Sequence, residues 1–149
     1  MFGRPWPVPF GRPSACVPDL VLGSRTVTTA PMGPYSPIVI AGPWLICSGQ
    51  LGLRPATGAP PAFVEGGAAA QLTQALANAD GLLEEHGVTR RHVIKTTLFL
   101  TDIGDAAEVN EAYVAFFGDH RPARSMVAVA GLPLGARVEV EVWAYRDQS

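Results

Sequence analysis

Residues 137–145, Arg-Val-Glu-Val-Glu-Val-Trp-Ala-Tyr, alternate without a break. Val138, Val140, Val142 and Ala144 fall on one side, and Arg137, Glu139, Glu141, Trp143 and Tyr145 on the other. An unbroken period of two describes a strand with one buried face, because a slip by one residue would turn the whole valine row to solvent. The valine row therefore predicts a sheet covered on that side by helices. The opposite row is neither polar nor apolar throughout. Carboxylates beside two large aromatics suit contact with a second subunit better than open water.

Helices to cover such a sheet are legible. Over residues 68–85, Ala69, Leu72, Ala75, Leu76, Ala79, Leu82 and Leu83 recur at spacings of three and four, with Gln71, Gln74, Asn78 and Glu85 opposite and a stop at Gly87. Over residues 106–117, Val109, Ala112, Tyr113 and Phe116 share a face, Asp102 or Asp105 can cap the start, and Gly118 ends the run. Strands are expected at residues 21–29, at 38–40 and 44–48 as a hairpin about Ala41-Gly42-Pro43, and at 93–100 with Ile94, Leu98 and Leu100 facing away from Lys95 and Thr97. Another short one follows Arg124. The order β-β-β-α-β-α-β-β predicts an α+β fold, with one sheet and both helices packed on one face.

Composition narrows the function classes. A chain of 149 residues is one domain, and 48% hydrophobic against 16% charged residues, with mean hydropathy +0.19, makes it globular and poor in charge for a lone monomer. Net charge is −2 and no stretch strings Lys and Arg together, which argues against nucleic acid as a partner. Cys16 and Cys47 have neither CxxC spacing nor a nearby histidine pair, so no metal site is expected and a reducing, cytoplasmic setting is the default. No apolar run reaches the ~18 to 20 residues of a membrane span. Residues 1–20 hold Pro5, Pro7, Pro9, Pro13 and Pro18, which reads as an N-terminal extension to a domain at 21–149.

The candidate chemistry centres on residues 120–133. Arg124 carries a permanent charge on a planar donor fork, suited to a small carboxylate held through two parallel hydrogen bonds. Pro122 restricts the entry to the strand and so helps to aim it. If residues 132–135 form a tight turn between adjacent antiparallel strands, Arg124 falls opposite Trp143 and Glu139 opposite Ala128. Arg124 and Glu139 would then share a face, roughly 13 Å apart at ~3.3 Å per residue, with Glu141 as a cross-strand ion partner of Arg124. That separation is too long for one small acid, and favours a site drawn from two subunits.

Six blocks, Gly33-Pro-Tyr-Ser, Cys47-Ser-Gly-Gln, Val93-Ile-Lys-Thr-Thr-Leu-Phe-Leu-Thr-Asp, Val109-Asn-Glu-Ala-Tyr, Arg121-Pro-Ala-Arg-Ser and Val138-Glu-Val-Glu, together resemble the reactive-intermediate deaminase (YjgF or Rid) family over about residues 28–146. The resemblance implies a chorismate-mutase-like fold and a homotrimer with clefts between subunits. It also implies cofactor-free hydrolysis of 2-imino and enamine acids, such as 2-iminobutanoate and 2-iminopropanoate, to 2-keto acids and ammonia. It assigns Arg124 to the substrate carboxylate, Glu139 to the attacking water, and Tyr35, Ser48, Gly49 and Met126 to the cleft. Met126 and Gly131 stand where many relatives carry cysteine and arginine. Such chemistry asks little of a protein: an imine carbon is already electrophilic, so positioning and an activated water suffice. Other readings are a non-catalytic binder of small acids, a chaperone-like member, a ribonuclease, and a deaminase dedicated to one pathway's enamine or iminium acid.

Overall fold

The computed structural model describes residues 21–22, 33–55 and 60–147. The whole proline-rich extension and most of the expected strand over residues 21–29 lie outside the described residues. Six strands form one mixed sheet in the order β1-β2-β3-β6-β4-β5, where β1 is Val21–Leu22, β2 Ile38–Ala41, β3 Trp44–Leu51, β4 Val93–Leu100, β5 Ala123–Ala128 and β6 Val138–Tyr145. Helix α1 spans Gly67–Glu84 and α2 spans Ala106–Phe117. The expected α+β arrangement, with both helices on one face, is the one found.

β6 is the middle of the sheet, antiparallel to β3 on one side and to β4 on the other. Its valine row is fully buried: Val138, Val140, Val142 and Ala144 are at most 1% exposed. Ala68, Leu72, Ala75, Leu76, Ala79, Leu82 and Leu83 of α1 and Val109, Tyr113 and Phe117 of α2 close over it. The apolar stripe of α1 is thus placed as its spacing required, except that Ala68 rather than Ala69 reaches the core. The helix stops where expected. Gly87 takes φ 71°, and the Val88 and Gly87 amides donate to the carbonyls of Leu83 and Glu84, a closure that needs the left-handed conformation glycine adopts freely.

Two faces were misjudged from sequence. In β4 the register shifts between Val93 and Lys95, so Val93 goes into the core and Ile94 is exposed, the reverse of simple alternation. In α1, Gln71 and Asp80 are buried because each has a fixed partner. Gln71 Oε1 accepts from the Arg137 amide at 2.9 Å, and Asp80 accepts from the Arg90 amide at 3.0 Å and pairs with its guanidinium at 3.3 Å. Apolar periodicity is blind to such polar anchors.

The larger correction concerns residues 132–135. They form a short 3₁₀ turn at Pro133–Gly135, but the strands flanking it are not neighbours. β4 lies between them. β5 is joined to β4 through α2 and runs parallel to it, with Thr96 opposite Arg124 and Leu98 opposite Met126. The expected pairings of Arg124 with Trp143 and of Glu139 with Ala128 therefore do not occur.

Candidate active site

Two groups of candidate residues occupy opposite faces of the sheet. On the face that no helix covers, β3 carries a bulge: Cys47 pairs with Val142 and Gln50 with Val140, leaving Ser48 and Gly49 across from Glu141. The Glu139 side chain folds over this bulge. A β-carbon at Gly49 would stand 1.8 Å from Glu139 Oε1 and 2.7 Å from its Cδ, so only glycine accommodates the carboxylate there. The close approach to the backbone at Gly49 is thus made by Glu139.

The bulge is held from the other side. Ser48 Oγ donates to the Ser36 carbonyl at 2.7 Å and the Ser48 amide donates to the Pro37 carbonyl at 2.9 Å, which ties the bulge to the loop that presents Tyr35. Tyr35 itself is 47% exposed. Gln50 Nε2 caps the Ser48 carbonyl at 2.9 Å. Burial, and then the neighbouring Glu141 carboxylate, raise the Glu139 pKa above the ordinary carboxyl range. A carboxylate raised in this way is a better proton acceptor near neutral pH than an exposed one.

Arg124 belongs to the other face. It is exposed, two residues before the half-buried Met126, on the outer strand of the sheet. Its guanidinium carbon lies 4.7 Å from the centroid of the Tyr113 ring, and it makes no hydrogen bond or ion pair with any described residue. Tyr113 is buried in α2, and its hydroxyl shares a 2.8 Å hydrogen bond with Thr96 Oγ1. Pro122 is buried just ahead of the strand. The cross-strand ion pair expected between Arg124 and Glu141 is absent: Glu141 stands opposite Thr97 on the open face.

Within one chain, then, Arg124 and Glu139 do not meet. They are separated by β4 and by three residues along it, since Thr96 is level with Arg124 and Phe99 with Glu139. At ~4.8 Å between strands and ~3.3 Å per residue this is roughly 14 Å between α-carbons, before counting that the side chains point to opposite faces. Sequence reasoning put Tyr113 in the core and overlooked that its ring also underlies Arg124. Spacing along one helix carries no signal for a partner on a distant strand.

The open face is large and mixed. Trp44 and Tyr145 pack edge to face at 5.2 Å, and Trp44, Trp143 and Tyr145 are each about 40% exposed beside Glu139 and Glu141. Toward the sheet edge, Lys95 Nζ donates to Ser125 Oγ at 2.7 Å. No cluster of side chains suited to a metal ion occurs among the described residues.

Fold and motifs together define the family. A family model described as Endoribonuclease L-PSP matches residues 26–146, and the chain belongs to that family, the YjgF/Rid proteins its motif blocks resemble. It is 42% identical over 130 residues to the 2-iminobutanoate/2-iminopropanoate deaminase of Escherichia coli K12, covering 83% of this chain and 98% of that one. The human protein of the same name is 40% identical over 124 residues, covering 80% and 88%. Among solved structures, the YjgF gene product of E. coli superposes with a TM-score of 0.73 at 40% identity over 83% of this chain and 100% of that chain. RidA from an Antarctic Psychrobacter does so with 0.75 at 37% identity over 82% and 97%.

Proposed function

We propose that this protein hydrolyses small 2-imino and enamine acids, of the 2-iminobutanoate and 2-iminopropanoate class, to 2-keto acids and ammonia, and that it does so in the cytoplasm as a homotrimer whose sites lie between subunits. The observation that carries this reading is the placement of Arg124 and Glu139 on opposite faces of one sheet. A single chain presents half a site on each side. Packing the open face of one copy against the Arg124 edge of the next would unite them and cover the exposed Trp143 and Tyr145.

In such a cleft Arg124 binds the substrate carboxylate through its free fork, which fixes the C=N carbon. Glu139 takes a proton from water as the oxygen attacks that carbon, giving a carbinolamine. That proton passes to the imine nitrogen to complete the carbinolamine, whose hydroxyl proton then moves through Glu139 to the amine, so that the C–N bond breaks and ammonia leaves as the C=O bond forms. Tyr35, Ser48, Gly49 and Met126 line the cleft, and no cofactor takes part. Residues 21–149 form the catalytic domain and residues 1–20 are dispensable for it. Net charge −2, with no run of Lys and Arg, argues against nucleic acid as the ligand.

The test couples a threonine dehydratase to keto-acid detection, with and without this protein. Faster release of 2-oxobutanoate is expected, and an unchanged rate would sink the deaminase reading. Mixing Arg124→Ala and Glu139→Gln proteins under subunit exchange tests the shared site: regained activity is expected, and none in verified mixed trimers would place both residues in one subunit's site.

A further inference from the structure

We infer that Tyr113 is a positioning residue for Arg124, and that its ring sets how tightly the protein holds the carboxylate of its substrate. The inference rests on the deaminase reading above and adds to it a residue that never touches substrate. Arg124 is a long side chain on an edge strand, exposed and without a hydrogen-bonding partner among the described residues, and such a side chain ordinarily samples many rotamers. Here the guanidinium is held at 4.7 Å from an aromatic centroid. Contact with a ring face engages the flat side of the guanidinium and leaves its N–H edge free, so the fork stays available for a carboxylate.

The ring is itself immobilised. Tyr113 is 4% exposed, packs on Phe117 at 4.6 Å between centroids, and is tied through its hydroxyl to Thr96, the residue level with Arg124 on the neighbouring strand. Thr96 is fully buried, and its hydroxyl pairs with that of Tyr113. A closed loop results: Arg124 pairs with Thr96 through the strands, Thr96 with Tyr113 through hydroxyls, and Tyr113 with Arg124 through the ring. A ligand carboxylate gains from this because the arginine's rotamer freedom is already restricted before binding.

Substitution at Tyr113 should therefore act on substrate capture more than on the chemical step. In Tyr113→Leu, KM for the imino acid and Kd for the product 2-oxobutanoate, read by calorimetry, should rise about three- to thirtyfold, the span a cation–π contact carries, with kcat changed less than threefold. Tyr113→Phe keeps the ring and should restore both constants to within about threefold of wild type. Should Tyr113→Leu fail to fold, ring-fluorinated phenylalanine at position 113, which keeps the shape but weakens the negative face, should raise KM relative to Tyr113→Phe. A folded Tyr113→Leu with unchanged KM and Kd would overturn the inference, and so would Tyr113→Phe as impaired as Tyr113→Leu or a fluorinated ring without effect. The two readings fail separately: a wild type without turnover removes the deaminase, whereas an active wild type indifferent to the ring at 113 removes this role.

Discussion

The two faces of β6 are built from one stretch of chain and do different work. Toward the helices it presents Val138, Val140, Val142 and Ala144, each buried in the hydrophobic core. Toward the open side it presents Glu139, Glu141, Trp143 and Tyr145, partly exposed, with one carboxylate folded onto a glycine. The first face is uniform because its task is to exclude water. The second combines charge, hydrogen-bonding capacity and apolar surface, which suits the proposed binding of a small acid and of another subunit. Stability should therefore follow the covered face, and activity the open face together with the Arg124 edge.

Substitutions at five positions probe that division. Leu98→Ala removes a fully buried side chain on the covered face and should cost about 2 to 5 kcal/mol of unfolding free energy by denaturant titration. A cost below 1 kcal/mol would mean that the covered face does not hold the fold. Arg124→Ala should lower kcat/KM on the order of a hundredfold, or about 3 kcal/mol of transition-state binding, while Tm stays within a few degrees because the guanidinium is exposed. Arg124→Lys should also be poor, since a point charge does not reproduce the fork.

Gly49→Ala forces the Glu139 carboxylate off the bulge, since the new methyl would occupy the position of Oε1. Turnover should fall roughly tenfold with KM little changed. Wild-type turnover would show that Glu139 works from another position. Trp143→Ser should weaken self-association in sedimentation at micromolar concentration yet leave the chain folded, because Trp143 contributes to the open face and not to the core. A folded wild type that sediments only as a monomer would remove the shared-site reading.

The smallest effect concerns Glu139 and pH. Burial, with Glu141 adding to it, places its folded-state pKa above the unfolded value. A group raised in this way favours folding only below the unfolded value, and that contribution is lost as pH rises through the folded value. Glu139→Gln, which stays neutral, should therefore gain Tm relative to wild type at pH 7.5 and show little difference in acid below the usual carboxyl range. The same elevation places the acid limb of the kcat profile above that of an ordinary glutamate. An equal Tm difference at both pH values would mean that Glu139 is not raised.

Cys47 illustrates a residue that took no part in the site. It belongs to the Cys47-Ser-Gly-Gln block, but its own side chain enters the core, where burial pushes its pKa up to about 12 and leaves it protonated and inert. The residues that follow it, Ser48 and Gly49, form the bulge on which the Glu139 side chain lies.

Much of this was readable before any coordinates. The valine row of β6, the α1 stripe with its stop at Gly87 and the β2–β3 hairpin all depend on contacts between residues near in sequence or on one repeating period. Local sterics and hydrophobic spacing determine such features directly. The family, too, was carried by short ordered blocks. What the sequence left undetermined was which strands become neighbours. β4 pairs with both β5 and β6, so the turn at Pro133–Gly135 joins strands that never touch, and Arg124 lands on the helix side while Glu139 faces open space. Nothing in the period of either strand records that insertion. It follows from the parallel crossover through α2 and from the burial of the central valine row between two partners, a choice made by the whole sheet at once.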